Sequence, residues 1–218
     1  TDTFIQSAPT PGEENTACNP SSPELTLIST IQGVPATQTN NSFGETDVSP
    51  LFGQTVTIEG IVVGDFQDDD ADLTRSLRGF FVQEESADED GDALSSEGIF
   101  VFDPSFGVDV NLGDQVRVTG TVGQYFGETQ LSSISEVSVL AADMLSSVQV
   151  ASIILLGNSD TTVSQDGDIQ PDLEAYEGML VTFPETLQIT EQFQLDRFNE
   201  IKIVAGSRPY QFTQLNTP

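Results

Sequence analysis

The chain contains no histidine and no tryptophan, only one cysteine, Cys18, and only six lysines and arginines. Without histidine, the side chain most often used for proton transfer near neutral pH is missing. A lone cysteine builds no disulfide framework within the chain, although it could pair with a cysteine outside it or stay reduced. No run of apolar residues approaches the roughly 18 needed for a transmembrane helix, so we expect no membrane span.

The scarcity of basic residues produces an extreme charge, because 35 acidic residues against 6 basic ones leave a net charge of -29 at pH 7. Such a charge repels nucleic acids and other polyanions through its mean field. It suits surroundings in which salt or calcium screens it. Adaptation of the surface to salt accounts for most of these carboxylates, and the remainder are candidate cation ligands. We expect a secreted, extracellular protein.

Composition and spacing divide the 218 residues into three parts. Residues 1–24 combine four prolines with small polar residues, which predicts an extended N-terminal arm or linker. The arm begins with a short apolar patch at Phe4–Ile5. Residues 25–145 are rich in strand patterns, and residues 146–218 predict either a β-rich C-terminal extension or a second small β-unit.

Five segments of the central part read as strands, and the first and fourth of them are interrupted by Gly60 and Gly120. The segments are Gln54–Gly64, Gly79–Glu84, Gly98–Asp103, Gln115–Val122 and Thr129–Leu140. Polar and apolar residues alternate in the first and fourth, as in half-buried strands. The alternation places one set of side chains inside: Val56, Ile58, Val116, Val118 and Val122. Five strands with glycine bends and no long helical period predict an all-β fold, a five-stranded OB-like barrel.

The loop between the second and third strands carries a carboxylate at every other position, and Gly91 lies within it. Calcium needs roughly six to eight hard oxygens at about 2.3–2.6 Å, and acidic loops commonly supply them. The predicted ligands are Asp88, Asp90, Asp92 and Glu97. The positions of the glycine and the glutamate differ from those of an EF-hand loop. The sequence therefore predicts a calcium site of another kind, with a merely solvated loop as the alternative.

A second acidic loop follows the first strand and repeats the same spacing at Asp68, Asp70 and Asp72. It is a possible second metal site. Asp65 and Asp69 lie nearby, and the solvated interpretation is the better one for this loop.

Aromatic and basic residues of the central part are candidate contacts to single-stranded nucleic acid. Bases stack on exposed aromatic rings, and arginines bind phosphates. The candidates are Arg75, Arg78, Arg117, Phe81 and Tyr125. Alternation sends one of Phe80 and Phe81 into the core, and most aromatic residues of such a domain lie there. Three arginines in so acidic a chain predict weak binding at best.

Taken together, these motifs resemble the OB-like domain of secreted endonucleases of the ExeM/NucH type. The similar segments are Gly53–Phe66, Leu77–Glu84, Asp88–Asp92, Glu97–Val101, Gly113–Val122, Phe126–Leu131, Tyr176–Val181 and Arg197–Glu200. They cover roughly residues 25–205. The first 15 residues resemble the closing strand of a lamin-tail-like domain, which often precedes this module.

The resemblance implies that chemistry is performed by an endonuclease/exonuclease/phosphatase domain that follows the module, beyond Pro218. We therefore expect a non-catalytic module of a secreted nuclease that positions nucleic acid or the catalytic domain. The alternative is an extracellular structural or assembly protein, a calcium-stiffened subunit joined to neighbouring copies through its N-terminal arm. A carbohydrate-binding module is a third hypothesis, because OB barrels also bind oligosaccharides. The lack of tryptophan weighs against it.

Overall fold

The computed structural model describes residues 24–39, 47–67, 77–104, 107–154, 173–193, 195 and 201–206. In this part of the chain the protein is all-β, as predicted. The five strands of the central part are β1 (Thr55–Phe66), β2 (Gly79–Gln83), β3 (Gly98–Phe102), β4 (Gln115–Tyr125) and β5 (Glu128–Ala141). Their bounds lie close to those expected from the alternation of polar and apolar residues.

These strands form one sheet that closes on itself in the order β1-β2-β3-β5-β4, with β4 pairing back to β1. All neighbours are antiparallel except β3 and β5, which run parallel and are joined at Phe100 and Val101. The five residues predicted to face inward are all buried: Val56, Ile58, Val116, Val118 and Val122. They belong to one continuous hydrophobic core inside the ring.

Gly60 lies where β1 exchanges one neighbour for another. The first half of β1 pairs with β4 as far as Ile61, and the second half pairs with β2 from Ile61 onward. A Cβ atom on Gly60 would lie 2.7 Å from the carbonyl oxygen of Gln83. The strand can therefore bend against β2 only if this residue has no side chain, which explains the glycine predicted to mark a bend.

A short helix, α1 (Ile28–Gln32), precedes the ring and packs into its core. Ile28 and Ile31 are fully buried there. The sequence did not indicate this helix, because five residues are too few to display a 3.6-residue period. None of the helices in the described ranges is long or apolar enough to cross a membrane.

The C-terminal part adds two small sheets. Strands β6 (Ala151–Ser152) and β7 (Val181–Thr182) pair in parallel, and β8 (Leu187–Glu191) and β9 (Lys202–Ala205) pair antiparallel. Two 3-10 turns, Leu145–Ser147 and Glu174–Tyr176, precede β6 and β7 respectively. The described residues of this part are β-rich, as expected. The predicted N-terminal arm lies outside the described residues, apart from Glu24.

The buried side chain of Gln83, at the end of β2, joins the β6–β7 layer to the ring. Its Nε2 donates to the carbonyl oxygen of Gln149 at 2.8 Å. Its Oε1 accepts from the backbone N–H of Leu180 at 2.9 Å. The layer therefore covers the end of β2 and β3 from which the acidic loop emerges.

Candidate functional site

The acidic loop between β2 and β3 is held by its own aspartates. Asp90 accepts hydrogen bonds from the N–H of Asp92 at 2.7 Å and from the hydroxyl of Ser95 at 2.9 and 3.1 Å. Asp92 accepts from the N–H of Leu94 at 3.0 Å. Asp88, Asp90 and Asp92 are exposed at the surface of the loop. Much of the acceptor capacity of Asp90 and Asp92 is thus used in shaping the loop.

Glu97, the fourth predicted ligand, is buried at the base of the loop, whereas the three aspartates are exposed. Its Oε1 accepts from the N–H of Asp90 at 3.0 Å. Directly opposite, across the continuation of the β2–β3 ladder, lies Glu84, whose N–H donates to the carbonyl oxygen of Glu97 at 3.0 Å. The Oε1 of Glu84 accepts from the N–H of Ile28, the first residue of α1.

The two glutamates form a buried carboxyl pair. Burial, the hydrogen bond to Glu97 and the charges of Glu97 and Asp88 raise the pKa of Glu84 to about 9. Burial likewise raises the pKa of Glu97. Glu84 was not among the predicted site residues. Alternation could have found it, because it continues the inward-facing series of Phe80 and Val82.

A further enclosed carboxyl belongs to Glu177, a half-buried residue that follows the 3-10 turn Glu174–Tyr176 and contacts the start of β5. Its Oε1 accepts from the N–H of Thr129 at 3.0 Å. Burial and the nearby charges of Glu174 and Glu128 raise the pKa of Glu177 to about 9. Sequence analysis did not single out this residue, because its burial depends on a contact between distant parts of the chain.

A cleft of about 240 Å³ opens beside the acidic loop, between the loop and the β6–β7 layer. Glu97, Glu89 and Asp92 supply its carboxylates, and Tyr176 and Met179 supply its other wall. Within the described ranges, no three histidine, cysteine, aspartate or glutamate residues converge as a metal-binding group. The second predicted metal site, Asp68, Asp70 and Asp72, lies outside the described residues.

The structure describes two of the three arginines predicted to contact phosphate, and both donate hydrogen bonds within the protein. Arg78 donates from Nη2 to the carbonyl oxygen of Pro104 at 2.8 Å. Arg117 lies opposite Glu59 on neighbouring strands; its Nε donates to Oε1 at 2.7 Å and its Nη2 contacts the same oxygen. Arg75 lies outside the described residues.

The predicted stacking residues lie on two separate surfaces. Phe81 faces away from the core and packs between Phe66 and Phe100, with ring centroids 5.9 and 4.9 Å away. It lines a groove of about 430 Å³ whose other wall is formed by residues 178–181. Phe80 is the member of its pair that enters the core, where it is fully buried.

Tyr125 lies at the tip of the β4–β5 hairpin, edge-on to Phe126 with centroids 4.7 Å apart. Phe126 is 89% exposed. It has a φ of 54°, and Gly127 has a φ of 93°. Positive φ at both central residues is what a tight type I′ hairpin turn requires, and Asn-Gly meets that need better than Phe-Gly. An aromatic ring is therefore presented to solvent at a strained position.

No protein-family model matches the chain, and no curated protein matches it either.

Proposed function

We propose that this chain is a non-catalytic, OB-like module of a secreted nuclease, and that it orients the catalytic domain. The connectivity of the closed sheet supports the OB-like part of the proposal, and the association with a nuclease comes from the resemblance of the sequence motifs. A five-stranded Greek-key barrel of the OB type has this order of strands, with the third strand beside the fifth. The parallel pairing of β3 with β5 and the closure of β4 on β1 support that assignment.

Orienting a domain fits the charges better than holding a nucleic acid. A protein that grips single strands tracks the phosphates with a basic groove. Here Arg78 and Arg117 donate to oxygens of the protein itself, and the net charge is -29. Phe81 and Tyr125 still offer ring surface on which bases can stack. Without a basic groove, the binding of single strands that they support is weak, and it falls further when divalent cations are removed.

The chemistry of phosphodiester cleavage gives a second argument. Metal-dependent hydrolysis needs an ion held by convergent ligands, with groups that activate water and stabilise the leaving oxygen. The chain has no histidine to act as the acid or base. We propose calcium as the cofactor, in a structural and not a catalytic role.

A gel assay on the purified whole chain tests the proposal. We expect no cleavage of DNA or RNA in magnesium, manganese or calcium. Binding to a single-stranded oligonucleotide, followed by fluorescence anisotropy, should be no tighter than about 10⁻⁶ M at physiological salt. Arg78→Glu and Tyr125→Ala should each weaken what binding remains. Robust cleavage that copurifies with the chain, or binding much tighter than this limit, would contradict the proposal.

The alternative, an extracellular assembly protein whose copies join through the N-terminal arm, depends on residues 1–23, which lie outside the described part. No contact among the described residues favours it over the module.

A further inference from the structure

The buried carboxyls of Glu84 and Glu97 lie next to each other without a basic side chain of the described residues to balance their charge. The two residues face each other where the β2–β3 ladder ends, and they are 2% and 5% exposed. One oxygen of each carboxyl is used, because Glu84 accepts from the N–H of Ile28 and Glu97 from that of Asp90. These bonds fix the direction of both side chains.

The other oxygen of each carboxyl receives no hydrogen bond from a backbone N–H, hydroxyl or amide group of the described residues. Oε2 of Glu84 and Oε2 of Glu97 are both buried. The two carboxyls lie within hydrogen-bonding reach of each other, and the further charges acting on them come from Asp88 and Asp90. Two buried negative charges in contact are unstable unless a proton or a cation lies between them.

We propose that Glu84 and Glu97 bind a divalent cation, calcium by preference, through these two buried oxygens. Carboxylate oxygens are the ligands that calcium prefers, and water molecules can complete its coordination. Glu97 lines the cleft of about 240 Å³ beside the loop, which offers the ion an entry path to the pair. Glu89 and Asp92 also line the cleft and raise the local concentration of cations.

This site differs from the one expected from the spacing of the loop aspartates. Asp90 and Asp92 accept hydrogen bonds within the loop, and their role is to shape it. Glu84 belongs only to the new site and Asp92 only to the predicted one, so a pair of substitutions separates them. The inference does not rest on the proposed nuclease module, since a module indifferent to calcium could still orient a catalytic domain.

Thermal melting of the whole chain, in calcium chloride and in chelator, tests the inference. A ligand that binds only the folded state stabilises it by mass action. At a calcium concentration 100 times the dissociation constant, the melting temperature should rise by roughly 5–10 °C for a chain of this size. Glu84→Gln should lose this rise. The matched control Asp92→Asn, which removes the same charge, should keep it.

Calorimetric titration of calcium into the folded proteins at 25 °C gives a second readout, and Glu97→Gln should lose the binding heat along with Glu84→Gln. Retention of the calcium response in Glu84→Gln with loss in Asp92→Asn would assign the ion to the loop aspartates and overturn the inference. A melting temperature that changes with pH but not with calcium would show that a proton alone lies between the glutamates. That result would also overturn the inference.

Discussion

Glu84→Gln should stabilise the protein at neutral pH in the absence of calcium. The raised pKa of Glu84, about 9 against an ordinary value of 4.5, means that the folded chain keeps a proton that the unfolded chain releases. Between these two values, unfolding is accompanied by proton loss, so stability falls as pH rises. The stabilisation that comes from this retained proton is fully present below pH 4.5 and is lost as pH rises towards 9.

The size of this effect on stability depends on how far the pH of the measurement lies above the ordinary pKa. At pH 7 the difference from 4.5 corresponds to at most about 3 kcal/mol of the free energy of unfolding. A glutamine is neutral at every pH, and its amide oxygen can still accept from the N–H of Ile28. Its amide nitrogen can donate to Glu97. The variant therefore keeps the shape and avoids the cost of protonating a carboxylate on folding.

The assay is urea unfolding in chelator at a series of pH values from 5 to 9. The wild type should lose stability across this range, and Glu84→Gln should lose less and be the more stable protein at pH 7 and above. Glu177→Gln is the internal comparison, since its buried carboxyl acts in the same direction at a separate place. A Glu84→Gln variant that is less stable than the wild type at pH 8, or that shows the same slope with pH, would refute the reasoning.

Three further substitutions test packing and backbone geometry by chemical unfolding. Gly98→Ala should lower the free energy of unfolding by about 3 kcal/mol, because its Cβ would lie 2.4 Å from the carbonyl carbon of Gly178. Gly107→Ala, with open space around it, should cost little, and equal losses of stability in the two variants would contradict the close contact. Ile58→Ala should cost about 2–5 kcal/mol by opening a cavity in the ring, and a loss well under 1 kcal/mol would mean that this core is loosely packed. Phe126→Asn should raise stability by up to about 1 kcal/mol, since asparagine tolerates positive φ; a loss would show that the ring contact with the preceding tyrosine outweighs the strain.

The strands of the ring could be predicted because each is a local pattern. Alternation in β1 and β4 assigns Val56, Ile58, Val116 and Val118 to one face, and burial of that face is what the closed sheet provides. The glycine at position 60 was likewise informative, since only a strand that bends against a neighbour needs one there. Helix α1 was missed because its burial, and not its periodicity, stabilises it.

The candidate site was predicted only in part. The acidic spacing of Asp88, Asp90 and Asp92 indicates the loop between β2 and β3, and the structure places these three residues at its surface. Glu97 follows the three aspartates along the chain. Glu84 is not part of that spacing, and a single glutamate after a strand does not stand out among so many carboxylates. Counting inward from Phe80 would have placed Glu84 on the core side, where a carboxylate calls for an explanation.

The sequence by itself determined that the chain is all-β, strongly acidic and without histidine, because composition and alternation are properties of neighbouring residues. Only the tertiary structure decided which carboxylates matter. Glu84 and Glu97 become a pair because β2 and β3 lie side by side, and the carboxyl of Glu177 becomes enclosed because its turn packs against the start of β5. The pKa of a carboxyl depends on burial and on neighbouring charges, and both are set by residues far away along the chain.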